Sequence, residues 1–227
     1  LSLLIRRQQS TKHTCKLSNM IELLNTDCME YMRGLEDNAF ELAIVDPPYG
    51  INVAEMRMGA GKGKRCSKIE NRKWSPKKWD SEIPSPEYFK ELFRVSGRQV
   101  IWGGNYFPLP TSQYFAVWDK GEGMRGRTFA EGEFAWVSSG GTRIKMINPV
   151  EKDRTHPTQK PVKLYEWLLK SYAKEGDRIL DTHLGSGSSA IAAHYGGFDF
   201  VGCELDEDYF KAAQKRFDNE TRQVAMF

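Results

Sequence analysis

Leu42 to Val45 is an unbroken apolar run, the pattern of a strand buried on both faces. Arg178 to Asp181 and Phe200 to Glu204 are strand-like runs that end in an acid, and Ile21-Glu22-Leu23-Leu24 after Met20 marks the expected start of folded structure. Ser85-Pro86-Glu87 is a helix start with proline at the first helical position, predicting a helix over Glu87 to Val95. Pro161 predicts a second helix running through Ala173, and Ser189 to Tyr195, closed by Gly196-Gly197, a third. Tyr209, Ala213 and Phe217 recur every four residues, giving a last helix one apolar face. Trp102, Phe115, Trp118 and Trp136 lie on strand-like runs and are expected in the core, with Phe134 or Trp136 as candidate pocket walls. No internal repeat is visible.

These alternating strands and helices predict an α/β protein with a mostly parallel sheet. At 227 residues, 40% of them hydrophobic and 12% aromatic, the chain can bury one substantial core. We therefore expect one domain over residues 20–227, preceded by a basic, acid-free extension over residues 1–19 that is not part of the core. No apolar run approaches a membrane span. Cys15, Cys28, Cys66 and Cys203 have no Cys-x-x-Cys spacing, so reduced thiols in the cytoplasm are expected, with no disulfide framework and no metal site.

The net charge of +3 is small, but its distribution is uneven. Residues 51–80 carry nine Lys/Arg against three acids, leaving the rest of the chain net negative. Glycines and Trp74 and Trp79 are interspersed, without helical or strand periodicity. Such a basic loop is expected to track phosphates, with Lys62, Lys64, Arg65, Lys68, Arg72 and Lys73 as candidate DNA contacts.

Asp46-Pro47-Pro48-Tyr49-Gly50 leaves the apolar run at Val45. The prolines fix their own φ and keep Asp46 extended, and they leave backbone carbonyls as acceptors beside its carboxylate. Tyr49 adds a flat face for a planar ring. Acceptors for N–H groups beside a π-surface suit an exocyclic amine on an aromatic ring. Its lone pair is delocalised until the nitrogen is drawn towards tetrahedral geometry, so Asp46 and the Pro47 carbonyl would prepare it for methylation, with Pro48 and Tyr49 completing the corner. The alternative is an ordinary strand-to-loop turn, of which Asp-Pro and Pro-Pro are common markers.

A glycine loop, Thr182 to Ser188, follows the strand at Asp181 and leads through a helix to the strand ending at Glu204. Strand, glycine loop, helix, strand and acid form a nucleoside-binding βαβ unit in which Glu204 accepts both ribose hydroxyls. Gly185-x-Gly187-x-x-Ala190 also satisfies a loose dinucleotide fingerprint. Against an NAD site stand the roughly twenty residues left after Glu204, too few for the remaining strands of a dehydrogenase half.

Taken together, these residues resemble the S-adenosylmethionine-dependent DNA amino-methyltransferases, in the permuted group where the catalytic motif precedes the cofactor loop. The resemblance runs from about Met20 to Phe217. It is carried by Asn25 to Cys28, Asp46 to Tyr49, Trp102 to Phe107, Trp118 to Lys120, His156 to Pro161, Asp181 to Ser188 and Gly202 to Glu204. It implies a Rossmann-like sheet with helices on both faces and methylation of the 6-amino group of adenine in double-stranded DNA after base flipping. An acid at the head of the motif favours adenine; cytosine enzymes more often carry Ser there, so the 4-amino group of cytosine is the alternative within the enzyme class. An idle nucleic-acid-binding module of the same fold is the alternative outside it.

By the same resemblance Asp46 holds the amine at the cofactor's edge and Tyr49 takes the flipped base. Asp181, Gly185 and Gly187 cradle the methionine part, Glu204 the ribose, and Asp27 with Cys28 the adenine ring, with His183 and Ser186 as further cofactor contacts. Thr158, Gln159 and Lys160 cover the methionine end, Lys160 near its carboxylate. One departure is the loop's opening, Asp181-Thr182-His183 where the family usually has Asp-Pro-Phe, which replaces an apolar face with a polar ring. His156 is expected to position its neighbours, since the transfer needs no histidine, and His194 to be a surface or satisfied residue. Small members of the group often lack a large recognition domain, which points to a homodimer or a loop as the reader of sequence. A cognate restriction endonuclease is a further partner this resemblance leaves open.

Overall fold

The computed structural model describes residues 19–51, 80–126, 130–149, 156 and 158–222. Eight strands form one sheet: β1 (Ile21–Asn25), β2 (Leu42–Val45), β3 (Gln99–Trp102), β4 (Tyr114–Asp119), β5 (Gly132–Val137), β6 (Arg143–Met146), β7 (Arg178–Asp181) and β8 (Asp199–Glu204). Their order is β1-β8-β7-β2-β3-β5-β4-β6. Only the pairings of β5 with β3 and β4 are antiparallel.

Side chains of successive strand residues point to opposite faces, and the helices divide accordingly. Leu42 and Ile44 belong to one core with Leu164 and Leu168 of α3 (Val162–Tyr172), Ala190 and Ala193 of α4 (Ser188–Gly196) and Ala213 of α5 (Glu207–Arg222). Ala43 and Val45 belong to the other, with Met32 of α1 (Cys28–Arg33) and Tyr88, Phe89, Leu92 and Val95 of α2 (Pro86–Val95). Covered on both faces, β2 must be apolar at every position, which its Leu-Ala-Ile-Val sequence satisfies. Full burial of one such side chain, Leu92 for example, stabilises by about 1.5–3 kcal/mol. The expected helices are found within a residue or two of their bounds, as is usual for helix ends. Trp102 and Trp118 lie in the core as expected, but Phe115 does not: it is 36% exposed, because it points to the face of β4 opposite the buried Ala116 and Trp118. Among the described residues no helix is long and apolar enough to cross a membrane.

The chain leaves β2 through α2 to β3 on one side of the sheet, and leaves β7 through α4 to β8 on the other. β2 and β7 are themselves parallel neighbours, with Ala43 opposite Leu180. Their connections diverge, so a crevice opens at their carboxyl ends, the position where open α/β sheets bind ligands. Asp46 and Asp181 both leave the sheet there.

Candidate active site

At the end of β2 the Asp46 carboxylate is engaged on both oxygens. The Tyr49 hydroxyl donates to Oδ1 at 2.6 Å, and the Lys160 ammonium donates to Oδ2 at 2.6 Å. Burial, together with the charges of Asp46 and Glu133, pushes the Tyr49 phenol well above its ordinary value, so it stays a proton donor. The Tyr49 ring stacks on Tyr106, with centroids 4.9 Å apart and planes 11° from parallel. It can lie there because residue 103 is glycine: a Cβ at Gly103 would meet the ring at 2.2 Å, and the φ of +68° there also favours glycine.

The segment behind this corner closes onto it. Asp80, 2% exposed, accepts the backbone N–H groups of Tyr49 at 2.7 Å and Gly50 at 3.1 Å. The two ends of the basic stretch are thereby tied together at the motif. The candidate phosphate contacts Lys62, Lys64, Arg65, Lys68, Arg72 and Lys73 lie outside the described residues.

Lys160 precedes α3 and is 5% exposed. Besides Asp46 it has Glu133 Oε2 at 3.1 Å, and Glu133 in turn has Lys120 at 2.8 Å on its other oxygen. Lys120, Glu133, Lys160 and Asp46 thus alternate in sign from the end of β4 to the end of β2. Burial would lower the Lys160 pKa, but the two carboxylates outweigh it and raise it, so the ammonium stays charged. Burial would likewise raise Glu133, yet Lys160 and Lys120 hold it below the usual carboxylate range. Glu133 and Asp80 are absent from the sequence expectations, because each acts through a partner distant along the chain.

The glycine loop after β7 is anchored from three sides. Asp181, 1% exposed, accepts the Ser189 hydroxyl at 2.6 Å and the His183 N–H at 3.0 Å. Burial pushes its pKa up to about 7, the nearby charges of Asp46 and Glu204 adding to this, and among the described residues no cation pairs with it. Glu204 at the end of β8 accepts the Gly185 N–H at 2.9 Å and the Asp206 N–H at 3.0 Å. Arg216 of α5 donates to the Ser186 carbonyl at 3.0 Å and the Ser188 hydroxyl at 2.7 Å. Gly187 caps α4 at φ +76°, where a Cβ would press on Ala213 at 3.3 Å.

His183 extends this loop as a buried polar chain: Tyr88 meets Thr182 Oγ1 at 2.6 Å, which meets His183 Nδ1 at 2.9 Å. Burial drives the His183 pKa down to about 4, so the ring is neutral. Asp27 is the N-cap of α1, accepting the Met29 N–H at 2.7 Å, and burial pushes the Cys28 thiol, beside it, up to about 12. His156 accepts the Thr158 N–H at 3.3 Å on Nδ1 and lies edge-on to Tyr209 at 4.4 Å. That is a positioning arrangement, and Gln159 beside it is buried.

These residues fit a nucleoside cofactor that carries an amino acid. A Cβ at Gly185 would meet nothing closer than 3.9 Å, leaving a cradle between the His183 carbonyl and the His156 ring. Next to it lies the buried carboxylate of Asp181, which no cation pairs with among the described residues, and beyond it an acid at the end of β8.

Comparison with known proteins agrees with this geometry. A family model described as DNA methylase, of the N6/N4 methyltransferase type, matches residues 101–215. The type II methyltransferase M2.DpnII of Streptococcus pneumoniae is 24% identical over 248 residues, covering 89% of this chain and 91% of the relative. Among solved structures, the M1.HpyAVI–SAM complex superposes with a TM-score of 0.57 at 21% identity, covering 87% of this chain and 100% of that one. The PvuII DNA methyltransferase, cytosine-N4-specific, superposes with a TM-score of 0.53 at 11% identity, covering 91% and 93%. The structural likenesses establish the shared fold, and the family match spans just over half of the chain. The chain belongs to the N6/N4 family of DNA methylases.

Proposed function

We propose that this protein methylates the 6-amino group of adenine in double-stranded DNA, with S-adenosylmethionine as donor and the target base turned out of the duplex. The observation that carries the reading is the Asp46 corner, set on the strand next to the glycine loop of β7. When bound, the cofactor supplies an electrophilic methyl group. The chain's own residues hold it and prepare the amine.

When the cofactor is bound, Asp181 would face the ammonium of its methionine part, Gly185, Ser186 and Gly187 would let the backbone approach it, and Glu204 would take the ribose hydroxyls. Asp27 and Cys28 would border the adenine ring, His183 would be a further contact from the glycine loop, and Thr158, Gln159 and Lys160 would cover the methionine end. At the other side of the crevice the Asp46 carboxylate and the Pro47 carbonyl accept the N–H groups of the target amine. That would draw electron density back onto its nitrogen, and the amine's proton would pass to Asp46 Oδ2 as the N–C bond forms and the methyl's bond to the donor sulfur breaks, leaving a neutral thioether. Such general-base help is worth roughly 10²- to 10⁴-fold in rate. Pro48 and Tyr49 form the wall of this corner, the Tyr49 ring already lying parallel to Tyr106. An acid at residue 46 favours adenine over cytosine.

The reading is tested by incubating duplex DNA with the protein and tritiated S-adenosylmethionine, then digesting to nucleosides. Label in N6-methyldeoxyadenosine supports it. Label in N4-methyldeoxycytidine would overturn the choice of base, and no label would overturn the activity.

A further inference from the structure

Lys160 binds two carboxylates in unequal ways. Its ammonium lies 2.6 Å from Asp46 Oδ2 and 3.4 Å from the Tyr49 hydroxyl oxygen. Glu133 Oε2 is only 3.1 Å away, yet this buried oxygen accepts no well-directed hydrogen bond. An ion-paired acceptor that lacks a directed hydrogen bond is a second seat for the ammonium. The other oxygen of Glu133 is fixed by Lys120 at 2.8 Å, so the carboxylate is held in place with Oε2 towards Lys160.

Asp46 has the opposite difficulty. To hold the target amine it must offer an oxygen to an N–H, and both of its oxygens already take an internal donor. Lys160 cannot simply give up Asp46. It is almost fully buried, and a buried ammonium without a counter-charge is costly.

We infer that Glu133 is a positioning residue for methyl transfer: it receives the Lys160 ammonium when the target amine takes its place on Asp46, so that Asp46 is freed without an unpaired buried charge. The inference rests on the reading that Asp46 holds the amine. Besides Asp46 and Glu133, the groups acting on Lys160 or these carboxylates are Tyr49, Lys120, the buried phenol of Tyr165 and, from β7, Asp181. Of these, Glu133 alone offers Lys160 a second carboxylate oxygen within hydrogen-bond distance. In Glu133→Gln the second seat is neutral, and Lys160 stays on Asp46 in competition with the amine.

The test compares Glu133→Gln, Glu133→Asp and Asp46→Asn with the wild type in single-turnover methyl transfer to duplex DNA, alongside dissociation constants for S-adenosylmethionine and DNA. Glu133→Gln is expected to slow transfer by roughly ten- to a hundredfold, with both dissociation constants and the thermal midpoint little changed. Glu133→Asp, which keeps the charge on a shorter side chain, is expected to fall between the two, severalfold below the wild type. A wild-type rate in Glu133→Gln overturns the inference, as does a loss matched by weaker binding and a lower midpoint, the mark of a merely structural residue. Should Glu133→Gln fail to fold, Glu133→Asp decides: a severalfold slower rate with unchanged binding supports the inference, and a wild-type rate overturns it. Activity in Asp46→Asn would instead sink the underlying reading, so the two failures are told apart.

Discussion

The ammonium of Lys160 lies 2.6 Å from Asp46 Oδ2, which joins the start of α3 to the end of β2 across 114 positions of sequence. The candidate catalytic carboxylate is therefore ion-paired and already aimed, and its replacement should act on chemistry rather than on folding. Asp46→Asn keeps the shape and leaves Lys160 paired with Glu133. Methyl incorporation should fall by at least about 10²-fold, while calorimetry shows cofactor affinity changed little. Wild-type turnover in Asp46→Asn would remove Asp46 from the mechanism.

Asp181 makes cofactor binding depend on pH. With its pKa pushed up to about 7 by burial, the carboxyl is partly protonated near neutrality. A ligand ammonium needs the anion, so affinity for S-adenosylmethionine should rise as pH climbs from 6 to 8, by up to about tenfold per unit below the pKa. Asp181→Asn should bind more weakly and lose that dependence. A pH-independent wild type would separate Asp181 from the cofactor.

The same shift has a sign for stability in the unliganded protein. The fold keeps a proton on Asp181 that the unfolded chain has released above about 3.8, so this contribution is present at low pH and is lost as pH rises through about 7. His183 runs the other way. Its pKa is lowered from 6.5 to about 4, so its contribution is present above 6.5 and lost as pH falls through about 4. The two mask each other in wild type. Relative to wild type, Asp181→Asn should therefore be more stable at pH 8 than at pH 5, as read from urea midpoints. A difference that stays constant with pH would contradict the raised pKa.

Glu204 accepts the Gly185 N–H and the Asp206 N–H, which aims its carboxylate across the glycine loop. Glu204→Ala should weaken S-adenosylmethionine by about 1.5–3 kcal/mol, the worth of hydrogen bonds to a charged group. If the dissociation constant hardly moved, the ribose would be held elsewhere.

The sequence shows its fold best where burial leaves a mark. β2 is a continuous apolar run with an acid at its exit, and β7 an apolar pair, Ile179-Leu180, followed by an acid and the glycine loop, because a central parallel strand is covered on both faces. β6 leaves no such mark: all four of its residues are exposed, Ile144 at 68% and Met146 at 62%, so its pattern carries no periodic burial signal. Phe115 misleads in the opposite sense, an aromatic on the face of β4 opposite the buried Ala116 and Trp118. In the site, Asp46 and Lys160 stand in motifs, whereas Glu133 and Asp80 gain their meaning only from contacts with Lys160 and with the Tyr49 and Gly50 amides. Nothing local distinguishes either acid from a solvated one.

The basic stretch between Gly50 and Asp80 is tested through ionic strength. If Lys62, Lys64 and Arg65 contact phosphates, changing all three to Ser should reduce the log–log salt slope of duplex binding by about 0.9 per lost contact. The Michaelis constant for DNA should rise while cofactor affinity holds. An unchanged slope would leave this segment without a part in DNA binding.

Methylated bases mapped in DNA from cells expressing the wild type or Asp46→Asn report activity, base and sequence context together. N6-methyladenine at a defined sequence with the wild type, and its loss with Asp46→Asn, is the expected result. N4-methylcytosine in its place, or a mark that persists in Asp46→Asn, would contradict the account.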